Sequence, residues 1–255
     1  MNLLFVGDVV GKSGCDFLAS KISQIKRDEK IDITVINGEN SAQGNGLTIA
    51  SLDRLINMGA DAVTTGNHCF RRKEIMESYD SCEILVRPAN YPDGVVGRGV
   101  TVLDFGRCSV AVVNLQGTIF MDALDNPFTV IDRVLADIGT PNIILDFHAE
   151  ATSEKKAMGH YLTGRVTAVL GTHTHVQTAD AAILGGHTAY ITDVGMTGAE
   201  MSALGVKSEL IIEKLRFHCP VKFEESENPC FINCVVVSFD EKTGKAYNIK
   251  PMQIR

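Results

Sequence analysis

Asp8, Glu39, Asn40, Asn67, His68, His148, His173 and His175 are the residues of this chain whose types and settings point to chemistry. Each follows a short apolar run. LLFVG precedes Asp8, ITVING precedes Glu39 and Asn40, AVTTG precedes Asn67 and His68, IILDF precedes His148, and TAVLGT precedes His173, with His175 two residues on. Mixed oxygen and nitrogen donors suit Mn, Fe or Zn better than Ca, and better than a thiolate-rich structural site. Their number exceeds the three or four protein ligands of a single zinc ion. A bridging carboxylate such as Glu39 can hold two cations about 3.5–4 Å apart, and such a pair binds phosphate oxygens and acidifies water. The set therefore points to phosphoester hydrolysis. Taken singly, Asp8 reads equally well as a turn or helix cap, Asn40 and Asn67 as turn formers, and His148 as a structural histidine. It is their recurrence at successive strand ends that carries the inference. If the chain stays extended after Gly171, a spacing of two puts the rings of His173 and His175 on one side. His160, His187 and His218 have no such setting and read as structural.

The elements that must position these residues follow from hydrophobic periodicity. Strands are expected at Leu3–Val6, Ile33–Ile36 and Ala62–Thr65, with helices at Cys15–Arg27 and at Ile49–Met58 between Thr48 as N-cap and Gly59. This alternation implies a parallel sheet with right-handed crossovers. Hairpins are expected around Gly106-Arg107, Gly185-Gly186 and Thr243-Gly244. Helices at Phe128–Ile138 and Glu154–Thr163 flank a strand at Ile143–Phe147, and a further strand spans Val166–Leu170. Parallel βα units with several hairpins predict an α/β sandwich with mixed sheets. Ligands of α/β sheets bind outside the carboxyl ends of the strands, which is where the candidate residues fall.

The chain has 255 residues, 45% of them apolar, and no segment reads as a linker, so one domain over residues 1–255 is expected. A net charge of -7 argues against a long nucleic-acid duplex as partner. The 7 cysteines show no C-x-x-C pair and read as reduced core thiols. No run is long and apolar enough to span a membrane, and no export signal opens the chain, so a cytoplasmic location is expected. The segment Gly7 to Ser13 sits like a P-loop between strand and helix but has one residue too few between its glycines. It reads instead as a tight turn with Lys12 exposed.

The ordered segments Gly7-Asp8, Gly38-Glu39-Asn40, Gly66-Asn67-His68, His148 and Gly171-Thr172-His173-Thr174-His175 resemble the calcineurin-like metallophosphoesterase superfamily, and more narrowly its YmdB-like branch. The resemblance implies a four-layer αββα sandwich and metal-dependent phosphodiester hydrolysis, notably of 2′,3′-cyclic nucleotides. It implies that Asp8, Glu39, Asn40 and His175 hold one metal, that Glu39, Asn67, His148 and His173 hold the other, and that His68 is the general acid. Iron or manganese is the expected metal, with zinc or magnesium as alternatives. Val10 stands where the wider superfamily has a histidine, Glu39 where it has a bridging aspartate, and Cys69 where it has a glutamate after the catalytic histidine. What orients His68 is not legible in the sequence.

The expected mechanism is in-line attack on phosphorus by metal-activated hydroxide, with His68 protonating the departing sugar oxygen. A phosphomonoesterase or phosphoprotein phosphatase is the alternative within the enzyme class, and a regulatory module using the metal site as a sensor is the alternative outside it. The loops Ala42–Thr48 and Gly195–Lys207 are expected either to shape the substrate cleft or to lie at the surface or in a homo-oligomer contact. No run of basic and aromatic residues marks a nucleobase pocket.

Overall fold

In β1 (Asn2–Val6), Leu3 and Phe5 enter one apolar layer while Leu4 and Val6 enter another, as the two-residue period of a strand requires. The computed structural model describes residues 1–227 and 229–255. After β1 come β2 (Asp8–Val9), α1 (Gly11–Asp28), β3 (Ile33–Asn37), α2 (Ile49–Asn57), β4 (Ala62–Thr64), a 3-10 turn at Lys73–Ile75, α3 (Met76–Ser81), β5 (Leu85–Val86), β6 (Val100–Asp104) and β7 (Ser109–Gln116). The remainder is α4 (Pro127–Asp137), β8 (Ile143–His148), α5 (Thr152–Tyr161), β9 (Ala168–Thr172), β10 (Ala182–Leu184), β11 (Thr188–Ile191), β12 (Met196–Ala199), α6 (Ser208–Phe217), β13 (Cys230–Phe239) and β14 (Ala246–Ile254).

Among the described residues these strands form two sheets. The first runs β2-β12-β13-β1-β3-β4-β5, with β14 also paired to β13; the second runs β10-β11-β9-β8-β7-β6. The strands β1, β3, β4 and β5 are parallel, and β13 closes against β1 in antiparallel register. In the second sheet β7, β8, β9 and β11 are parallel, flanked by the antiparallel β6 and β10. Both sheets are therefore mixed, as expected.

Three apolar layers stack these parts. Leu4, Val6, Ile36 and Val63 pack with Leu18 and Ile22 of α1 and Leu52 and Leu55 of α2. Leu3, Phe5, Ile33 and Val35 meet Val110, Val112, Ile144 and Leu170 between the sheets. Ala111, Val113, Leu145 and Phe147 pack with Val130 and Ile131 of α4 and Met158 of α5. The order helix, sheet, sheet, helix is the four-layer αββα sandwich.

Several details differ from the sequence expectation. The helix expected from Cys15 begins at Gly11. The Gly195–Lys207 segment is not all loop: Met196–Ala199 forms the buried β12, parallel to β2 and antiparallel to β13. Its sequence, MTGA, is too short and too poor in β-branched residues to announce a strand. The helices α3 and α6 were likewise not anticipated, and none of the residues of α6 is buried, so no core-facing stripe marks it. Cysteines expected in the core divide: Cys15, Cys69 and Cys234 are buried, Cys82, Cys108 and Cys230 are partly buried and Cys219 is exposed, none of them in a disulfide. Among the described residues no helix is long and apolar enough to cross a membrane. Lys12 is exposed, as expected, but lies in the first turn of α1 and pairs with Asp16 one turn on.

Phe5 is fully buried between the sheets. Phe5→Ala should lower stability by about 3–5 kcal/mol, read as a shift of the urea midpoint at unchanged slope.

Candidate metal centre

The parallel strands of both sheets end on one edge, and the candidate residues are delivered there together. Asp8, Glu39 and Asn67 come from the first sheet, and His148, His173 and His175 from the second. Glu39 lies at the centre. Its Oε1 is 3.0 Å from Asn40 Nδ2 and 3.3 Å from both His148 Nε2 and His68 Nδ1, and its Oε2 accepts from the His68 amide at 3.1 Å. His148 Nε2 is 2.9 Å from Asn67 Oδ1 and 3.1 Å from His173 Nδ1. Donor atoms of Glu39, His148 and His173 all lie within 4.8 Å of one another. Beside them, His175 Nε2 is 3.1 Å from Asn40 Nδ2 and 4.0 Å from Asp8 Oδ1. Gly66 lets this group converge: a Cβ there would lie 2.3 Å from His148 Cδ2 and 2.4 Å from Glu39 Oε2.

One expectation fails. The chain does not stay extended after Gly171: β9 ends at Thr172, and His173 and His175 have φ of 105° and 65°. Their rings reach the site from a tight turn and not from one face of a strand. Thr174, between them, explains how the turn is held. Its amide (3.0 Å) and hydroxyl (2.8 Å) both donate to Asp193 Oδ2. That carboxylate also takes the ammonium of Lys155 at 2.6 Å, and the two side chains are 0% and 1% exposed. A buried ion pair thus fixes a left-handed turn that non-glycine residues seldom adopt.

A second device orients His148. The Thr172 hydroxyl donates to Asp146 Oδ1 at 2.7 Å, so its oxygen is free to accept from His148 Nδ1 at 2.8 Å. The Nδ1–H tautomer leaves the Nε2 lone pair facing Asn67, Glu39 and His173. Asp146 also accepts from Asn37 Nδ2 (2.9 Å) and Thr64 Oγ1 (2.5 Å), and Asn37 Oδ1 accepts from the Glu39 amide (3.1 Å). His68 receives its orientation from Asn40, whose Oδ1 is 2.8 Å from Nδ1. Glu150 adds an unanticipated carboxylate, Oε2 lying 3.1 Å from His173 Nε2.

The electrostatics describe a set that wants a cation. Burial raises the Asp8 carboxyl, opposed by the imidazoles of His175 and His148, and Asp8 Oδ1 is buried with no hydrogen-bond partner among the described residues. Burial also opposes ionisation of Glu39, but His148 and His68 overcome it and hold the carboxyl well below the usual range. His148 answers in kind: burial disfavours its charge, yet the carboxylates of Glu39 and Asp8 push it up to about 9. His173 is held down to about 3 by burial and by the neighbouring His148. In the metal-free protein, the imidazolium of His148 therefore offsets part of the carboxylate charge that a metal ion would neutralise instead. Buried carboxylates, a neutral imidazole and an orphaned carboxylate oxygen fit a borderline divalent ion.

Sequence reading missed Asp146, Thr172, Asn37, Thr64, Asp193 and Lys155. A faint signal existed in the runs IILDFH and ITVIN, where Asp146 and Asn37 stand in strands that are buried along their whole length.

The match to a family model is decisive for descent: the YmdB-like protein model covers residues 4–252. The chain belongs to the YmdB-like family. Its metallophosphoesterase type implies use of divalent metal, and the Glu39–His148–His173 group is a place for one. Over 256 residues the chain is 47% identical to a 2′,3′-cyclic-nucleotide 2′-phosphodiesterase of Bacillus subtilis (strain 168), covering 100% of this chain and 97% of that one. A solved structure of a novel phosphatase from Mycoplasma pneumoniae superposes with a TM-score of 0.95 at 32% identity, covering 100% of this chain and 93% of that one. A hypothetical protein from Thermus thermophilus gives 0.94 at 39% identity, covering 99% and 98% respectively.

Two outcomes test this geometry. Asp193→Asn leaves Lys155 buried without its partner and should cost about 3–5 kcal/mol; adding Lys155→Met should recover part of that loss in urea unfolding. Because His148 must give up its proton to offer Nε2, Mn²⁺ affinity of the chelator-treated protein should rise with pH and flatten near 9, by up to about tenfold per pH unit below that. Calorimetric affinity that is flat between about pH 6 and 9 would remove His148 from the ligand set.

Proposed function

We propose that this phosphoester hydrolase is a two-metal phosphodiesterase acting on small diesters, with 2′,3′-cyclic nucleotides as the foremost class. The observation that carries the reading is the position of Glu39. Its carboxylate stands between Asn67, His148 and His173 on one side and Asp8, Asn40 and His175 on the other. Asp8, Glu39, Asn40 and His175 would hold one ion, and Glu39, Asn67, His148 and His173 the other, with Glu39 shared. Iron or manganese suits these donors best. When bound, such a pair supplies positive charge for phosphoryl oxygens and acidifies water at neutral pH.

The chain's own residues supply the rest. His68 stands at the rim, its side chain 23% exposed, with Nδ1 bound to Asn40 Oδ1. That bond turns Nε2 away from Asn40, free to give a proton to the departing sugar oxygen. The Asn40 oxygen has two lone pairs, so it can accept from His68 and also face a cation. The cleft beside these residues, about 310 Å³, admits a small ester. The activity named for the Bacillus relative supports a cyclic nucleotide as substrate, and the description of the Mycoplasma relative as a phosphatase keeps a phosphomonoester as the second reading. Parallel assays of a 2′,3′-cyclic nucleotide and an aryl phosphomonoester separate the two. Activity that survives a chelator, or none at all with Mn²⁺ or Fe²⁺ restored, argues instead for other chemistry or for a sensor.

His68→Ala should lower kcat by about 10²–10⁴-fold with metal content unchanged. Asp8→Ala should instead lose metal, seen by elemental analysis after gel filtration.

A further inference from the structure

The metal cleft continues into a second cavity of about 220 Å³, and Gly44 and Leu204 line both. The two spaces are closely linked, since His175 Nδ1 lies 3.3 Å from the Leu204 carbonyl oxygen. Phe223 and Glu225 form part of the second wall, and the Phe223 ring is half exposed. A bridge between Val206 and Glu225 fixes this wall, with the Lys207 amide bound to Glu224 O (3.0 Å) and the Ser226 amide to Gly205 O (2.9 Å). Glu225 Oε2 accepts from the Lys12 amide at the start of α1 at 3.2 Å, where Val10 supplies no side-chain cap. Capping accounts for that oxygen. It does not account for Oε1, which is buried and has no hydrogen-bond partner among the described residues. A buried carboxylate oxygen without a donor is costly and calls for an explanation.

We propose that this cavity is a nucleobase subsite in which Phe223 offers its ring to the face of the base and the Glu225 carboxylate, which lines the cavity, accepts from an exocyclic amino group. The proposal rests on the cyclic-nucleotide reading of the neighbouring metal site. Aromatic rings stack on any base, so Phe223 supplies affinity without choice. An ionised carboxylate only accepts, so Glu225 supplies the choice. It favours cytosine, adenine or guanine, which carry an amino group, over uracil, whose single ring N–H is flanked by carbonyl oxygens. Burial pushes the Glu225 carboxyl up from its usual range, against the Lys12 amide, so an arriving donor gives it what the protein withholds. No run of residues announced this pocket because its walls come from the loop after β3 and from the segments before and after α6.

Cytidine and uridine 2′,3′-cyclic monophosphates differ only at this edge, so the ratio of their kcat/KM reads the subsite. Any loss of fold, of the α1 cap or of metal falls on both substrates alike and cancels. The wild-type ratio should favour cytidine by about tenfold. Glu225→Gln, whose amide can also donate to uracil, should bring it near one, and Phe223→Ala should raise KM for both nucleotides several-fold. A wild-type ratio near one, or a preference that Glu225→Gln leaves in place, overturns the proposal. If the wild type turns over neither nucleotide, the phosphodiesterase reading falls by itself. Calorimetric binding of cytidine and uridine 3′-monophosphates to the wild type and Glu225→Gln then decides the subsite by the same ratio.

Discussion

Asp146 lies on β8 of the second sheet, yet it accepts from Asn37 and Thr64 on β3 and β4 of the first, as well as from Thr172 on the neighbouring β9. Burial pushes its carboxyl up to about 6, against the nearby imidazole of His148 and the hydroxyl donors of Thr64 and Thr172. From this one group two chains of hydrogen bonds run to the candidate metal centre. Through Thr172 it sets the tautomer of His148, and through Asn37 it sets the backbone of Glu39. A polar crosslink inside an apolar inter-sheet layer is tolerable only because each oxygen is satisfied. In return, the two sheets share one register at the edge where their strands end.

Charge is handled by the same economy of few, well-partnered groups. Asp8 and Glu39 are buried, imidazoles are the groups that favour their charge, and His148 carries a compensating proton. The other buried ion pair, Lys155 with Asp193, is complete in itself and serves geometry: it holds Thr174, and with it the turn that bears His173 and His175. One charge arrangement is thus closed and structural, and the other is open and awaits a cation.

The layers were legible because short apolar runs mark Leu3–Val6 and Ile33–Ile36 and near-helical spacing marks α1, and the candidate site residues were legible because they recur after strands. What was not legible has physical reasons. β12 is a four-residue strand made by tertiary pairing, with little propensity of its own. The left-handed turn at His173 and His175 depends on Asp193 and Lys155, whose partnership no local pattern encodes. The orientation of His68 by Asn40 joins two different loops, and a single sequence carries no trace of that contact. Asp146 stood in plain view within IILDFH, but a lone aspartate in a strand has many readings until its neighbours are known.

The proposed ligands divide between the two sheets, with carboxylates and carboxamides on one and imidazoles on the other. Their separation equals the thickness of the oily layer that Phe5, Val35, Val112 and Leu170 fill. Close-packed interiors transmit changes of a single methylene. The spacing of the donors is therefore written in the volume of side chains that touch neither metal nor substrate. Selection on turnover would therefore constrain that layer as well as the site, and drift in its side chains would be felt in donor spacing as well as in stability.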